Sequence, residues 1–336
     1  MEELADRPIL AIDLGGTQIR AALITPDLAV HARRAVPTAD EEGVNAVVTR
    51  ICRVAAEVRD DARASGLPAP AAVGVSAPGP LDPWRGVVTS PPNLAGWHDV
   101  PLAARVADGL ALTTYLERDT NVAVRAEWQH GAARSAGTAI YITVSTGIGG
   151  GLIIDGRPVI GPDGSAGEIG HIVVDLDGPR CGCGRIGHLE AIASGTALAR
   201  EAQAVISRGD RGRLHDLAQT RDGPIDAALL ARAADEGDEA ARRILAGAWT
   251  ALGAVCASLV NLLNPDVIVI GGSIAEHRPA LFDVVRTEID RLAFSGPASR
   301  VRVAPAELGD DVSLIGLPAI IADRWADPAF GVAPTS

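Results

Sequence analysis

The chain twice writes an apolar β-type run, a glycine turn and a second β-type run: "PILAIDLGGTQIRAALI" over residues 8–24 and "TAIYITVSTGIGGGLIIDG" over residues 138–156. Each reads as a hairpin, because the β-branched run stops at glycines that supply a tight turn. One such hairpin would equally be a plain turn with no ligand. Two of them, about 130 residues apart, predict a duplicated architecture of two lobes, each offering its turn to a shared cleft. The fold class expected is therefore α/β with a two-part core, which 336 residues at 47% hydrophobic content can fill.

Composition removes several function classes. The formal net charge of -12 argues against nucleic-acid or anionic-membrane partners, since nothing neutralises phosphates along an extended surface. No N-terminal signal pattern is visible, and no apolar run reaches the roughly 18 residues of a spanning helix; a cytoplasmic location is expected. All 30 basic residues are arginine. A P-loop nucleotidase, a protein kinase and a Schiff-base enzyme each need a lysine, so phosphate handling here must rest on backbone amides, arginine and metal. Cys52 and Cys256 stand alone in apolar, helical-looking stretches and read as core residues.

The turns supply candidate phosphate cradles. Gly15 and Gly16, followed by Thr17, leave N–H groups unshielded, and Asp13 beside them makes electrostatic sense with a hydrated Mg²⁺ between carboxylate and phosphate. The second turn carries Ser145, Thr146 and Gly147 to Gly151, including Gly149. A third glycine pair, Gly271 and Gly272, follows the apolar run Val267 to Ile270 in "NLLNPDVIVIGGSIAE", expected as a buried parallel strand whose carboxyl end meets ligand. A long apolar helix is expected over 246–263. In "YLERDTNVAVRAEW", residues 115–128, Asp119 and Asn121 end a short strand and open a helix. Capping alone would explain them, but beside phosphate turns Asp119 is also a candidate base for an attacking hydroxyl.

A different chemistry occupies residues 170–195, "GHIVVDLDGPRCGCGRIGHLEAIASG", where Cys181 and Cys183 are bracketed by His171 and His188. The set "DLGGTQIR", "GVSAPGP", "PPNLAGW", "ERDTN", "STGIGGG", "GEIGH", "CGCGRIGHLEA" and "LLNPDVIVIGG" resembles, in order and from about residue 9 to about residue 320, the ROK family of sugar kinases and sugar-responsive repressors. The resemblance implies the two-lobed actin-like ATPase (hexokinase) fold. Residues 1–118 plus about 312–326 would form a small lobe, and 119–311 a large lobe with the nucleotide site and a zinc-binding loop.

The resemblance also implies that the two hairpins and the Gly271-Gly272 turn hold ATP, that Asp119 is the general base, and that Glu168, His171 and Glu190 bind sugar hydroxyls, with Asn93 and the turn at 77–80 lining the same pocket. His171, Cys181, Cys183 and His188 stand where the family places zinc ligands. The last of these is cysteine in the family, and a His₂Cys₂ site without an open position is structural. Such a metal would free the other nitrogen of His171 for a sugar hydroxyl. A homodimer is the assembly expected.

Arg118 departs from the pattern, which has asparagine there. Either it swings out to pair with Glu117 or another acid and glucose is the substrate, or the substrate is a modified hexose or C7 cyclitol. If the side chain points inward, a buried cation beside Asp119 disfavours a free amino sugar. Repressors of the family carry a DNA-binding segment ahead of the first glycine motif. Only twelve residues precede Asp13, so a repressor is not expected; a catalytically silent sugar sensor remains a lesser alternative.

Overall fold

The computed structural model describes residues 7–91 and 94–335. The chain divides into two compact units, one formed by Met1–Gly131, Pro158–Ala166 and Asp310–Ser336, the other by Ala132–Arg157 and Gly167–Gly309. The first unit thus runs on to Gly131, past the expected boundary at 118, because the helix Asp119–His130 packs on the C-terminal helices Val312–Ile315 and Leu317–Arg324. Those two helices were expected as one over 312–326. They separate at Gly316, just before Pro318, which removes the N–H that a continuous helix would use.

The first unit is built on strands β1 (Ile9–Leu14), β2 (Gln18–Ile24), β3 (Val30–Pro37), β4 (Ala72–Ala77) and β7 (Thr114–Arg118), with a small hairpin of β5 (Leu81–Asp82) and β6 (Val87–Val88) beside them. The five-stranded sheet has the order β3-β2-β1-β4-β7. β1 pairs antiparallel with β2 and parallel with β4, and β4 runs parallel to β7. Alternation along β1 covers both faces. Leu10, Ile12 and Leu14 join the core under helices Val44–Ala64 and Leu102–Leu110, while Ala11 joins Leu314, Leu317 and Ile320 on the other side. Each fully buried Leu or Ile contributes about 1.5–3 kcal/mol.

The second unit repeats the plan. Strands β8 (Ala139–Val144), β9 (Ile148–Ile154), β10 (Arg157–Pro158), β11 (Val267–Gly271) and β12 (Arg302–Pro305) form a sheet of order β10-β9-β8-β11-β12. Again an antiparallel hairpin, β8 with β9, is followed by parallel neighbours, β11 on β8 and β12 on β11. Val267 to Ile270 are all buried, as a parallel strand covered on both faces requires. The helix Glu239–Leu263 starts seven residues before the expected 246, capped by Asp238, whose side chain accepts from Ala241 N. By length and composition it could cross a membrane, a span longer than any read from the sequence; 56% of its apolar window is buried, and Trp249, Leu252, Val255 and Cys256 belong to the unit's core.

Candidate functional site

In the first unit the turn of the first hairpin is Gly15 to Thr17, closed by Gly15 N donating to Gln18 O at 2.9 Å. An added Cβ on Gly15 would sit 3.0 Å from that carbonyl, so the closed turn leaves a side chain little room there. Thr38, fully buried at the end of β3, fixes the turn from outside: its Oγ1 donates to Gly15 O at 2.6 Å and its N to Thr17 O at 2.9 Å. No local signal in the sequence marks Thr38, because it acts across 23 residues. Asp13 and Arg20 are register partners in β1 and β2. Arg20 Nε and Nη2 both donate to Asp13 Oδ2, at 3.1 and 2.7 Å, and its Nη1 donates to Asp310 O at 2.5 Å. The donor chemistry fits a hydrated magnesium at the remaining oxygen, Oδ1, since a hard cation takes carboxylate oxygens through its water shell.

Asp119 follows directly on β7 and opens the helix Asp119–His130. It is half-buried, between the buried residues Arg118, Thr120 and Asn121. Its Oδ1 accepts from Thr120 N at 2.7 Å. Arg118 is only 4% exposed, so the expectation that it swings out toward Glu117 is corrected. Its Nη2 donates to Asn121 Oδ1 at 3.2 Å and to Ala166 O, while the carboxylate of Glu117 pairs with Arg324. The side chain therefore lies inward, held between the Asn121 amide and the Ala166 carbonyl. Asn93 lies outside the described residues.

In the second unit the turn of the second hairpin is Ser145 to Gly147; Gly149 to Gly151, expected in the turn, belong to β9. Gly150 serves packing instead, since a Cβ on it would lie 2.4 Å from Ile169 Cδ1 and 2.8 Å from Gly167 O. Three neighbours hold the turn. Gly195 N donates to Ser145 O at 2.8 Å, Thr196 N to Thr146 O at 3.2 Å, and Glu190 Oε2 accepts from Ile148 N at 3.0 Å. Gly272, the residue after β11, has φ 93° and lies so close to β8 that a Cβ would be 2.6 Å from Val144 O. Ser273 Oγ beside it is 3.0 Å from Ser145 Oγ. Thr146, Gly147, Gly271 and Gly272 are thus brought together, rimmed by hydroxyls, with Thr196 as a member the sequence did not reveal.

The histidines and cysteines also converge. One donor atom from each of His171, Cys181, Cys183 and His188 lies within 4.8 Å of all the others. The edges are 3.2 Å between the two Nδ1 atoms, 3.3 Å from Cys183 Sγ to His188 Nδ1 and 3.8 Å from Cys181 Sγ to His171 Nδ1. Zinc bonds of about 2.05 Å to nitrogen and about 2.3 Å to sulfur, set tetrahedrally, give edges of about 3.3 Å for N–N and about 3.6 Å for N–S. The donor set fits a closed zinc site. Burial pushes the Cys181 thiol up to about 11, and burial followed by the charge of His171 lowers His188; a metal would draw on neutral imidazole and thiolate. With Nδ1 of His171 in the cluster, its Nε2 lies 3.9 Å from Glu168 Oε2. Glu190 spans from this cluster to the hairpin, its Oε1 taking Cys181 Sγ at 3.6 Å. Cys256 is in the core with its thiol pushed up to about 12 by burial, which leaves it inert.

The sequence pattern of the ROK family matches residues 9–324. A glucokinase of Thermotoga maritima is 33% identical over 94% of this chain and 98% of its own. An N-acetylmannosamine kinase of Escherichia fergusonii is 31% identical over 91% and 96%. The crystal structure of a ROK family glucokinase from Streptomyces griseus in complex with glucose and AMPPNP is 30% identical over 93% of this chain and 98% of that one, with a TM-score of 0.79. That likeness carries the α/β actin-like fold that the family resemblance implied.

Proposed function

The chain belongs to the ROK family, and on that premise we propose that it transfers the γ-phosphoryl group of ATP to the primary hydroxyl of glucose or a glucose-like substrate, with Asp119 as general base. It is an ATP-dependent hexose kinase, as its glucokinase relatives are. The observation that carries the role of Asp119 is its place: a half-buried carboxylate at the carboxyl end of a parallel strand, in a run of otherwise buried residues, where sheets of this kind present groups to ligands.

Asp119 accepts the proton as the sugar oxygen attacks phosphorus, and ADP leaves. Charge spreads over the transferred oxygens, and in a chain without lysine backbone N–H groups such as those of the Gly15–Thr17 turn take the part that lysine plays elsewhere. Magnesium held through Asp13 would supply charge neutralisation at the phosphates. Glu168, His171 and Glu190 accept and donate to sugar hydroxyls. Zinc held by His171, Cys181, Cys183 and His188 would keep that segment rigid. The net charge of -12 supports a reading without nucleic-acid or membrane partners, and the family resemblance supports a cytoplasmic homodimer.

The inward Arg118 favours a second substrate reading, a modified hexose or C7 cyclitol, because guanidinium only donates where an amide would also accept. Both readings exclude a free amino sugar. A kinase assay across glucose, mannose, N-acetylmannosamine, glucosamine and C7 cyclitols, with Arg118→Asn in parallel, tests them. Glucose or a cyclitol should give the highest kcat/KM. Glucosamine as the best substrate would overturn the charge argument, and a tenfold or greater gain on glucose in Arg118→Asn would move the assignment from glucose to the second class.

A further inference from the structure

Two charged residues of the first unit have no part in the reaction described so far. Glu117, next to last in β7, is 1% exposed, and Arg324, the last residue of the helix Leu317–Arg324, is 7% exposed. Arg324 Nη2 pairs with Glu117 Oε2, and Arg324 Nη1 donates to Leu116 O at 3.3 Å. Its guanidinium carbon lies 4.2 Å from the centre of the Phe330 ring, which holds the cation in place from a second side.

The other oxygen of Glu117 faces the site. Oε1 accepts from Arg118 N at 2.7 Å and from Asn121 Nδ2 at 2.9 Å. Asn121 Oδ1 in turn accepts from Arg118 Nη2 at 3.2 Å. One carboxylate therefore grips the residue before Asp119 and the residue two after it. The helix that Asp119 opens has no side-chain cap from Arg118, so its first turn needs this outside hold.

Stability alone is a weak reason to bury such a pair, because two well-packed apolar side chains commonly do as well. Direction is a better one: an apolar pair could not fix the peptide N–H of Arg118 and the amide of Asn121 at once. We propose that Glu117 and Arg324 are positioning residues for phosphoryl transfer, a buried pair that locks the strand-to-helix junction and so holds the Asp119 carboxylate and the Arg118 guanidinium in their working directions. Neither residue touches substrate. The proposal rests on Asp119 as the base.

The test measures kcat, both KM values and the dissociation constants of sugar and AMPPNP for Arg324→Met, Arg324→Lys, Glu117→Gln and Asp119→Asn. Arg324→Met and Glu117→Gln should each lower kcat at least tenfold while the KM for sugar and for ATP stay within threefold of wild type. Arg324→Lys, which keeps the charge, should recover most of the lost rate. Should Arg324→Met fail to fold, the double variant Glu117→Gln/Arg324→Met buries no charge and takes its place, with the same tenfold loss expected. A folded variant that binds both ligands normally and turns over within twofold of wild type overturns the positioning role. A near-normal rate in Asp119→Asn would instead overturn the base assignment, and the two failures are read from different proteins.

Discussion

Substituting Gly272 by alanine should damage the second unit severely, while the same change at Gly247 should strengthen it. At Gly272 the backbone has φ 93° and ψ 156°, a region that side-chain-bearing residues enter at a cost of about 1–3 kcal/mol. The new Cβ would also meet Val144 O at 2.6 Å, Thr143 Oγ1 at 2.7 Å and Val144 N at 2.8 Å. Two of these are backbone atoms of the central strand β8 and cannot step aside, so overpacking adds about 1–3 kcal/mol. The sum is about 4 kcal/mol, or about 8–16 °C in melting temperature for a unit of this size. Gly247 lies exposed within the helix Glu239–Leu263, and an added Cβ meets nothing within 4 Å. Alanine there should add about 0.5–1 kcal/mol. Thermal unfolding of the two variants, with AMPPNP binding in parallel, reads both signs. Gly272→Ala should also weaken nucleotide binding, because Val144 leads directly into the Ser145–Gly147 turn. If it melts within 1 °C of wild type, or if Gly247→Ala is lowered equally, the reasoning from close approach is wrong.

Metal analysis of the purified protein should find about one zinc per chain, and His188→Ala should lose it together with sugar affinity; wild-type protein that holds no zinc yet phosphorylates sugar normally would remove the metal from the account. Asp226 caps the helix Ala227–Asp235 through Leu229 N and takes both ends of the Arg221 fork. The Arg221 hydrogen bond lowers its pKa below the usual 3.8 against the opposing effect of burial. Its stabilisation is thus complete above pH 3.8 and is lost as pH falls through the lower folded value. Asp226→Ala should therefore cost about 1 kcal/mol at pH 7, measured by urea unfolding, with the gap to wild type closing only below about pH 4; a gap independent of pH would exclude the ionised cap.

The repeated hairpins were legible because a glycine turn between apolar β-runs is a local signal, and both sheets carry it in the same topological position. The four donors that meet in space were legible through the family resemblance, which places metal ligands at these positions. What the sequence concealed acts over distance. Glu117 and Arg324 are 207 residues apart, and nothing near either marks the other as its partner. Arg118 was legible as a departure, but its inward course depends on Asn121 and Ala166. Glycines mislead where they serve packing: Gly149 to Gly151 look like more of a phosphate turn, yet they lie in β9, where Gly150 makes room for Ile169.

The central claim is that Asp119 takes the hydroxyl proton in an ATP-dependent sugar kinase. The most direct measurement is the single-turnover rate of sugar phosphorylation by Asp119→Asn, on enzyme shown by calorimetry to bind sugar as wild type does. General-base catalysis of this kind is worth about 10²–10⁴-fold, so the rate should fall by at least a hundredfold with sugar affinity retained. A rate within tenfold of wild type would contradict the account.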